Sequence, residues 1–405
     1  MKAIPTLTCC LLSGAAGLVA AEGGAANLLD AVQNGTTSIT ARYRVEYVDQ
    51  DGFDKQAEAS NIDVTLAYQT LPLYDCQALI EFEYVGPVGN GDLFNSTTNA
   101  VTDRPVVADP EGSQLNRLWL RYEPEQLTDY GFKATLGRQW LQFDNQRHVG
   151  PVKWRLNDQT FDALNLVAKP SEGLDVAAAY VWNVHKVNSV STPLESGLLL
   201  NAGYQVADYG KASVYAYLLD YEDPAAFDSA TFGASFAGKY AVDGDLAVTY
   251  HLEFAQQGDY ADSSDFGASY VHAVVGAKWT DYTAAIGYEV LGSDDGAGAF
   301  QFPLGTNHKF NGWVDKFLAT PADGLVDLYI QLGASFPQVE GLKAAVHYHL
   351  FEGDDSGDDL GSEIDALLSY RYTDELTLGA KVGMYSADTF STDTTKLWLW
   401  AEVAF

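Results

Sequence analysis

Eight basic residues sit where they could handle negative charge. Arg42 and Arg44 are two positions apart and Arg117 and Arg121 four apart, while Arg138, Arg147, Lys153 and Arg155 follow in one short stretch. Guanidinium keeps its charge, and its planar fork meets a carboxylate with two hydrogen bonds. Such a cluster attracts an anionic solute if it faces a solvated path. It merely neutralises Glu46, Asp63, Glu81 and Glu83 if those side chains face it instead. Both readings stand at this point.

Other chemistry is thinner. His251, His272, His347 and His349 could offer imidazole ligands to zinc. No third carboxylate or cysteine is evident at suitable spacing, so solvated histidines and no metal are expected. Asp49-Gln50-Asp51-Gly52 begins like a calcium loop, yet Ser60 stands where the bidentate glutamate belongs. Acidic loops are expected to hold divalent cations only loosely. No serine elbow, phosphate-cradling glycine loop or metalloprotease helix is present, so neither an enzyme nor a cofactor is expected.

The elements that position these residues follow from periodicity. In Leu246-Ala-Val-Thr-Tyr-His-Leu-Glu-Phe254 the alternate members form two contrasting sets, and Leu174–Trp182, Val326–Leu332 and Leu376–Val382 repeat the scheme. Strands send successive side chains to opposite faces, so each segment has one apolar and one wet face. Eighteen such segments run from 37–48 to 396–405, the sixth at 157–168 supporting either phase. Short connections (70–75, 169–172, 337–340, 373–374) alternate with long ones (86–113, 140–156, 292–324). That rhythm predicts an all-β, up-and-down antiparallel transmembrane barrel of about 18 strands with long extracellular loops.

Three further features agree. Tyr68, Tyr122, Tyr204, Tyr240 and Trp279 fall at one end of the apolar faces, and Tyr47, Tyr84, Trp182, Phe254 and Tyr288 at the other. Two aromatic belts are what a bilayer interface selects. Lys2, the apolar run Leu7–Val19 and the small residues before Glu22 read as an export signal over 1–21. The segment 22–36 is then a periplasmic lead-in and 37–405 the barrel. The last strand closes on Phe405, an ending like the one by which the barrel-assembly machinery recognises its clients. The expected place is the outer membrane of a Gram-negative bacterium, among lipid and lipopolysaccharide.

Acidic residues number 55 against 23 basic, a net charge of −32. Nucleic acid is thereby excluded as a partner, because phosphate binding needs a clustered positive surface. With the signal removed one cysteine remains, Cys76, and no internal disulfide can form. At 18 strands the interior is too wide for wall side chains to fill, so water is expected inside. Trp313 and Phe317 within the long segment 292–324 predict that this loop folds inward or caps the mouth, burying those rings against the barrel wall.

Around the fifth strand the residues become distinctive. Gly137-Arg138-Gln139, Asp144-Asn145-Gln146-Arg147, Gly150, Trp154-Arg155 and Asn157-Asp158-Gln159-Thr160-Phe161-Asp162-Ala163 resemble the signature of alginate-export outer-membrane channels. The stretch from His308 to Phe317 resembles a motif in the long loop of the same family. The resemblance implies a passive channel for small polar or anionic solutes, including uronate oligosaccharide or polysaccharide. It also implies a constriction role for Arg138, Arg147 and Arg155. The alternatives are a general porin, a structural or adhesin barrel without a dedicated substrate, and an outer-membrane barrel enzyme.

Overall fold

A computed structural model of the chain describes residues 24–224 and 227–405. The export signal expected over 1–21 lies outside the described residues. A short helix α1 (Leu28–Gln33) precedes eighteen strands. These are β1 (Thr36–Gln50), β2 (Ala57–Gln69), β3 (Cys76–Pro87), β4 (Gly112–Tyr122), β5 (Lys133–Gln139) and β6 (Thr160–Ser171). Next come β7 (Leu174–His185), β8 (Ser191–Val206), β9 (Gly210–Tyr221), β10 (Ser229–Asp243), β11 (Leu246–Gly258) and β12 (Gly267–Trp279). The last six are β13 (Tyr282–Leu291), β14 (Leu325–Ser335), β15 (Leu342–Glu352), β16 (Asp359–Arg371), β17 (Leu376–Ala387) and β18 (Thr394–Ala404).

Each strand pairs antiparallel with its sequence neighbours, and β1 pairs with β18 to close the ring. Closure leaves no unpaired edge, which hydrocarbon demands of any sheet that crosses it. Among the described residues no helix is long and apolar enough to cross a membrane. The alternation sorts as expected: Leu252 and Phe254 are exposed on the outside of β11, while Glu253 and Ala255 between and beside them are buried. Tyr204, Tyr240, Trp279 and Tyr282 lie exposed at the periplasmic ends, and Tyr84, Tyr180 and Tyr288 towards the other rim.

One strand boundary and one inner loop depart from the sequence reading, while the inward fold expected of 292–324 is found. β6 begins at Thr160, not 157, and Asn157, Asp158 and Gln159 belong to the preceding loop, buried inside the barrel. More consequentially, much of the lumen is protein. Segments 140–159 and 292–324 fold inward and clasp each other through a parallel bridge between Val149 and Leu304. Phe300, Phe302, Val314 and Phe317 of the second segment pack with Phe143, Tyr215, Tyr270, Phe351 and Tyr385 into one buried apolar cluster. Burying rings of this size is what holds an otherwise polar loop inside the barrel.

Candidate functional site

The arginines of β1 act on the inner loop before they can act on any solute. Arg42 donates to the carbonyls of Lys153 (3.2 Å) and Arg155 (2.6 Å), and Arg44 to that of Trp154 (2.7 Å). Across strands, register sets Arg42 opposite Asp63 and Glu402, and the ion-pair distances are 3.8 and 4.0 Å. Arg44 also pairs with Asp109 from the loop after β3, and lies 3.6 Å from Glu46. Three backbone carbonyls are thus fixed by two fixed charges on one strand.

Behind this clasp lies a cavity of about 260 Å³ against β1 to β4 and β18, open to solvent. Arg42, Arg117, Arg121, Lys153 and Arg155 line it, and so do Asp63, Glu81, Glu83, Asp158 and Glu402. Arg117 forks onto Glu81 at 2.7 and 2.5 Å, and its guanidinium stacks 3.4 Å from the centroid of Trp140. Lys153 places its ammonium 3.2 Å from the same ring, and the indole N–H donates to Asp158 at 2.6 Å. Two basic side chains in the cavity form no ion pair among the described residues. Arg121 donates to Thr135 (3.2 Å) and lies over Trp119 (4.4 Å), and Lys153 rests on Trp140. Burial pushes the Lys153 ammonium down to about 8, Asp158 opposing the shift. Burial and then Glu81 push Asp158 up to about 6.

The remaining members of the expected cluster lie elsewhere. Arg138 forks onto Asp162 at 2.8 and 3.3 Å and reaches the Leu115 carbonyl. It follows Gly137, whose φ of +116° and close approach to the Leu118 carbonyl leave no room for a Cβ. Arg147 is fully buried on Glu289 (2.8 Å) and Asn311 (2.6 Å), between Phe302 and Phe310. Arg155 bridges Glu46 (3.0 Å) on the wall to Asp315 (3.1 Å) on the other inner loop. Arg147 and Arg155 therefore hold the inner loops to the wall and to one another, while Arg138 ties β5 to β4 and β6.

Sequence reasoning missed the centre of the lumen. Trp154, Trp313 and Trp398 form a buried cluster. Lys381 lies 4.0 Å from both the Trp154 and Trp313 rings and 2.6 Å from His308 Nε2. His308 stacks on Trp154 with its Nδ1 2.6 Å from Asp315. Burial holds the His308 imidazole down at about 3, so it is neutral, donating to Asp315 and accepting from Lys381. A second cavity, of about 170 Å³, lies towards β10 to β15. His251, His272, His347 and His349 line it, and here the structure supplies the carboxylates that spacing did not reveal. Glu253 lies beside His251 and His272, and Asp365 beside His347 and His349.

Solved structures with the same fold are outer-membrane channels. Pseudomonas aeruginosa OccK9 (OpdG) is similar with a TM-score of 0.73 at 14% identity, covering 93% of this chain and 100% of its own. P. aeruginosa OpdO has a TM-score of 0.72 at 14% identity, with 93% and 98% covered. Acinetobacter baumannii OccAB4 has 0.63 at 15% identity, with 92% and 99% covered. A search of curated proteins by sequence finds no match. The family model for alginate export matches residues 31–290, which contain all of the Gly137–Ala163 signature; the His308–Phe317 stretch lies beyond it. The chain belongs to the alginate-export family, and is a porin of the Gram-negative outer membrane.

Proposed function

We propose that this channel passes small anionic solutes, of the class of uronates and their short oligomers, by passive diffusion along the β1–β4 wall. The observation that carries the reading is the pair Arg121 and Lys153, basic groups facing the cavity without a carboxylate partner. Each sits on an indole ring, which keeps the charge in place without cancelling it. A second basic set supports the same direction of travel. Lys239, Lys278, Lys343 and Arg371 occupy inward positions at the periplasmic ends of β10, β12, β15 and β16. The outer loops are acidic, as in Asp354, Asp355, Asp358 and Asp359. An anion entering from the periplasm meets the basic groups first. Phe405, whose backbone exchanges both hydrogen bonds with Ile39, ends the strand that we assign to recognition by the assembly machinery.

A weakly selective general porin is the second reading. It is favoured by the balance within the cavity, where five basic residues face five acidic ones. Planar-bilayer recording separates the two. Uronate oligomers added on the periplasmic side should transiently block the native channel, and the double variant Arg121→Glu, Lys153→Glu should abolish the block. Block that persists in the double variant assigns the path elsewhere.

A further inference from the structure

Outside the arginine cavity, two strands before β18, β15 and β16 bring three metal-binding side chains together. His347 is the cross-strand neighbour of Asp365, and His349 of Glu363. Ligand atoms of His347, His349 and Asp365 all lie within 4.8 Å of one another, and all three residues are buried.

The polar atoms around them are not satisfied by protein. Asp365 Oδ2 accepts from Trp313 N (3.2 Å), but its Oδ1 has no hydrogen-bond partner. Glu363 Oε1 accepts from Val314 N (2.7 Å), and its Oε2 has none either. Both carboxylates are essentially fully buried, at 0% exposed for Asp365 and 1% for Glu363. A carboxylate oxygen left unpartnered away from water is strongly unfavourable unless something positive meets it. Either a shared proton or a cation would do so.

The histidines favour the cation. His349 has Nδ1 at 3.0 Å from both oxygens of Asp327, so with the proton on Nδ1 the Nε2 lone pair is available to a metal. That carboxylate-to-imidazole contact is the outer shell commonly found behind metal-bound histidine. His347 has no hydrogen bond among the described residues, packs against Trp313 and faces the second cavity. Lys381 forms no ion pair with these carboxylates among the described residues; its ammonium is turned to His308 between two indoles. The neighbouring trio is less suited, because Glu253 already accepts from Tyr215 (2.6 Å) and meets His148 (3.1 Å) and His251 (3.0 Å).

We propose that His347, His349 and Asp365 form a binding site for one divalent transition-metal ion of the zinc class, with a fourth position open to the cavity. Two imidazoles and a carboxylate suit such an ion far better than Mg²⁺ or Ca²⁺, which prefer oxygen throughout. The same carboxylates anchor Trp313 and Val314 of the inner loop, so the bound ion clamps that loop to the wall. The site is independent of which solute the arginine cavity passes.

Zinc binding is measured on the purified, folded channel in detergent by competition with a chromophoric chelator, using Zn²⁺ with Mg²⁺ as control. Heat-modifiable gel mobility confirms folding of each variant. One Zn²⁺ per chain is expected, lost in His347→Gln and in Asp365→Asn and retained in His251→Gln. Asp327→Asn, which removes only the contact behind His349, should weaken binding about 10–100-fold. Should the variants fail to fold, Co²⁺ added to the native channel should give the intense visible bands of a four-coordinate site. Absence of those bands, no zinc uptake, or zinc retained in both His347→Gln and Asp365→Asn overturns the site and leaves a shared proton in its place.

Discussion

Lys153 gives the sharpest handle on how the arginine cavity works. Replacing it by Met keeps an unbranched chain on Trp140 but removes a charge that has no carboxylate partner. At about 4 Å a unit charge is worth about 1 kcal/mol to a passing anion in bulk water and about 4 kcal/mol at the effective dielectric near a protein surface. Burial places Lys153 between these limits, so anion permeability should fall by at least about fivefold. The same charge can be removed by pH. Burial lowers the ammonium to about 8, so the native group is mostly charged at pH 7 and mostly neutral at pH 9. Anion preference, read as reversal potential across a KCl gradient in planar bilayers, should therefore decline as pH rises through about 8 in the native channel. In Lys153→Met it should start low and stay flat over that window. Lys186 and Lys316 are lowered to the same range but do not line the cavity, so their titration survives in the variant as a control. A native channel with no pH dependence, or a variant that titrates as the native does, would refute a role for Lys153 in the path.

Leu252 is 57% exposed on the lipid face, so Leu252→Arg should destabilise assembly by about 2–4 kcal/mol, measured by urea titration in lipid vesicles. Thr249→Arg, on the cavity side of the same strand, should cost far less; equal costs would reverse the facing of β11. Single cysteines replacing Asp262 and Asp355, in a Cys76→Ser background, should react with an impermeant maleimide on intact cells, and one replacing Glu340 should not. Reaction at position 340 would invert the barrel. Deleting 297–320 removes Phe300, Phe302, Trp313 and Phe317 from the lumen and should raise single-channel conductance; an unchanged current would put that segment outside the path.

Strand positions were legible because two solvents impose the alternation, lipid on one face and lumen on the other. β13 spans 282–291 as the pattern gives it, and β6 is misplaced at its start because Asn157, Asp158 and Gln159 are polar inside the lumen as they would be outside it. Facing was legible as well, so the wall charges were placed inside, and so were neighbouring-strand partners such as Asp63 for Arg42 and Glu81 for Arg117. Partners reached through the inner loops were not. Arg147 meets Glu289 and Arg155 meets Asp315 across more than a hundred residues, through loops whose insertion no local pattern encodes. The carboxylate beside His347 was hidden for a local reason. A bulge at Phe351/Glu352 shifts the β15–β16 register by one. Counting back from the turn pairs His347 with Ile364, on the wrong face, where the structure pairs it with Asp365.

The most direct test of the anion channel is solute flux itself. Proteoliposomes holding the purified chain should swell in isotonic glucuronate faster than in isotonic glucose, two solutes of similar size that differ in charge. The advantage should shrink in Arg121→Glu, Lys153→Glu. Swelling that favours glucose, or none in either solute, would contradict the account.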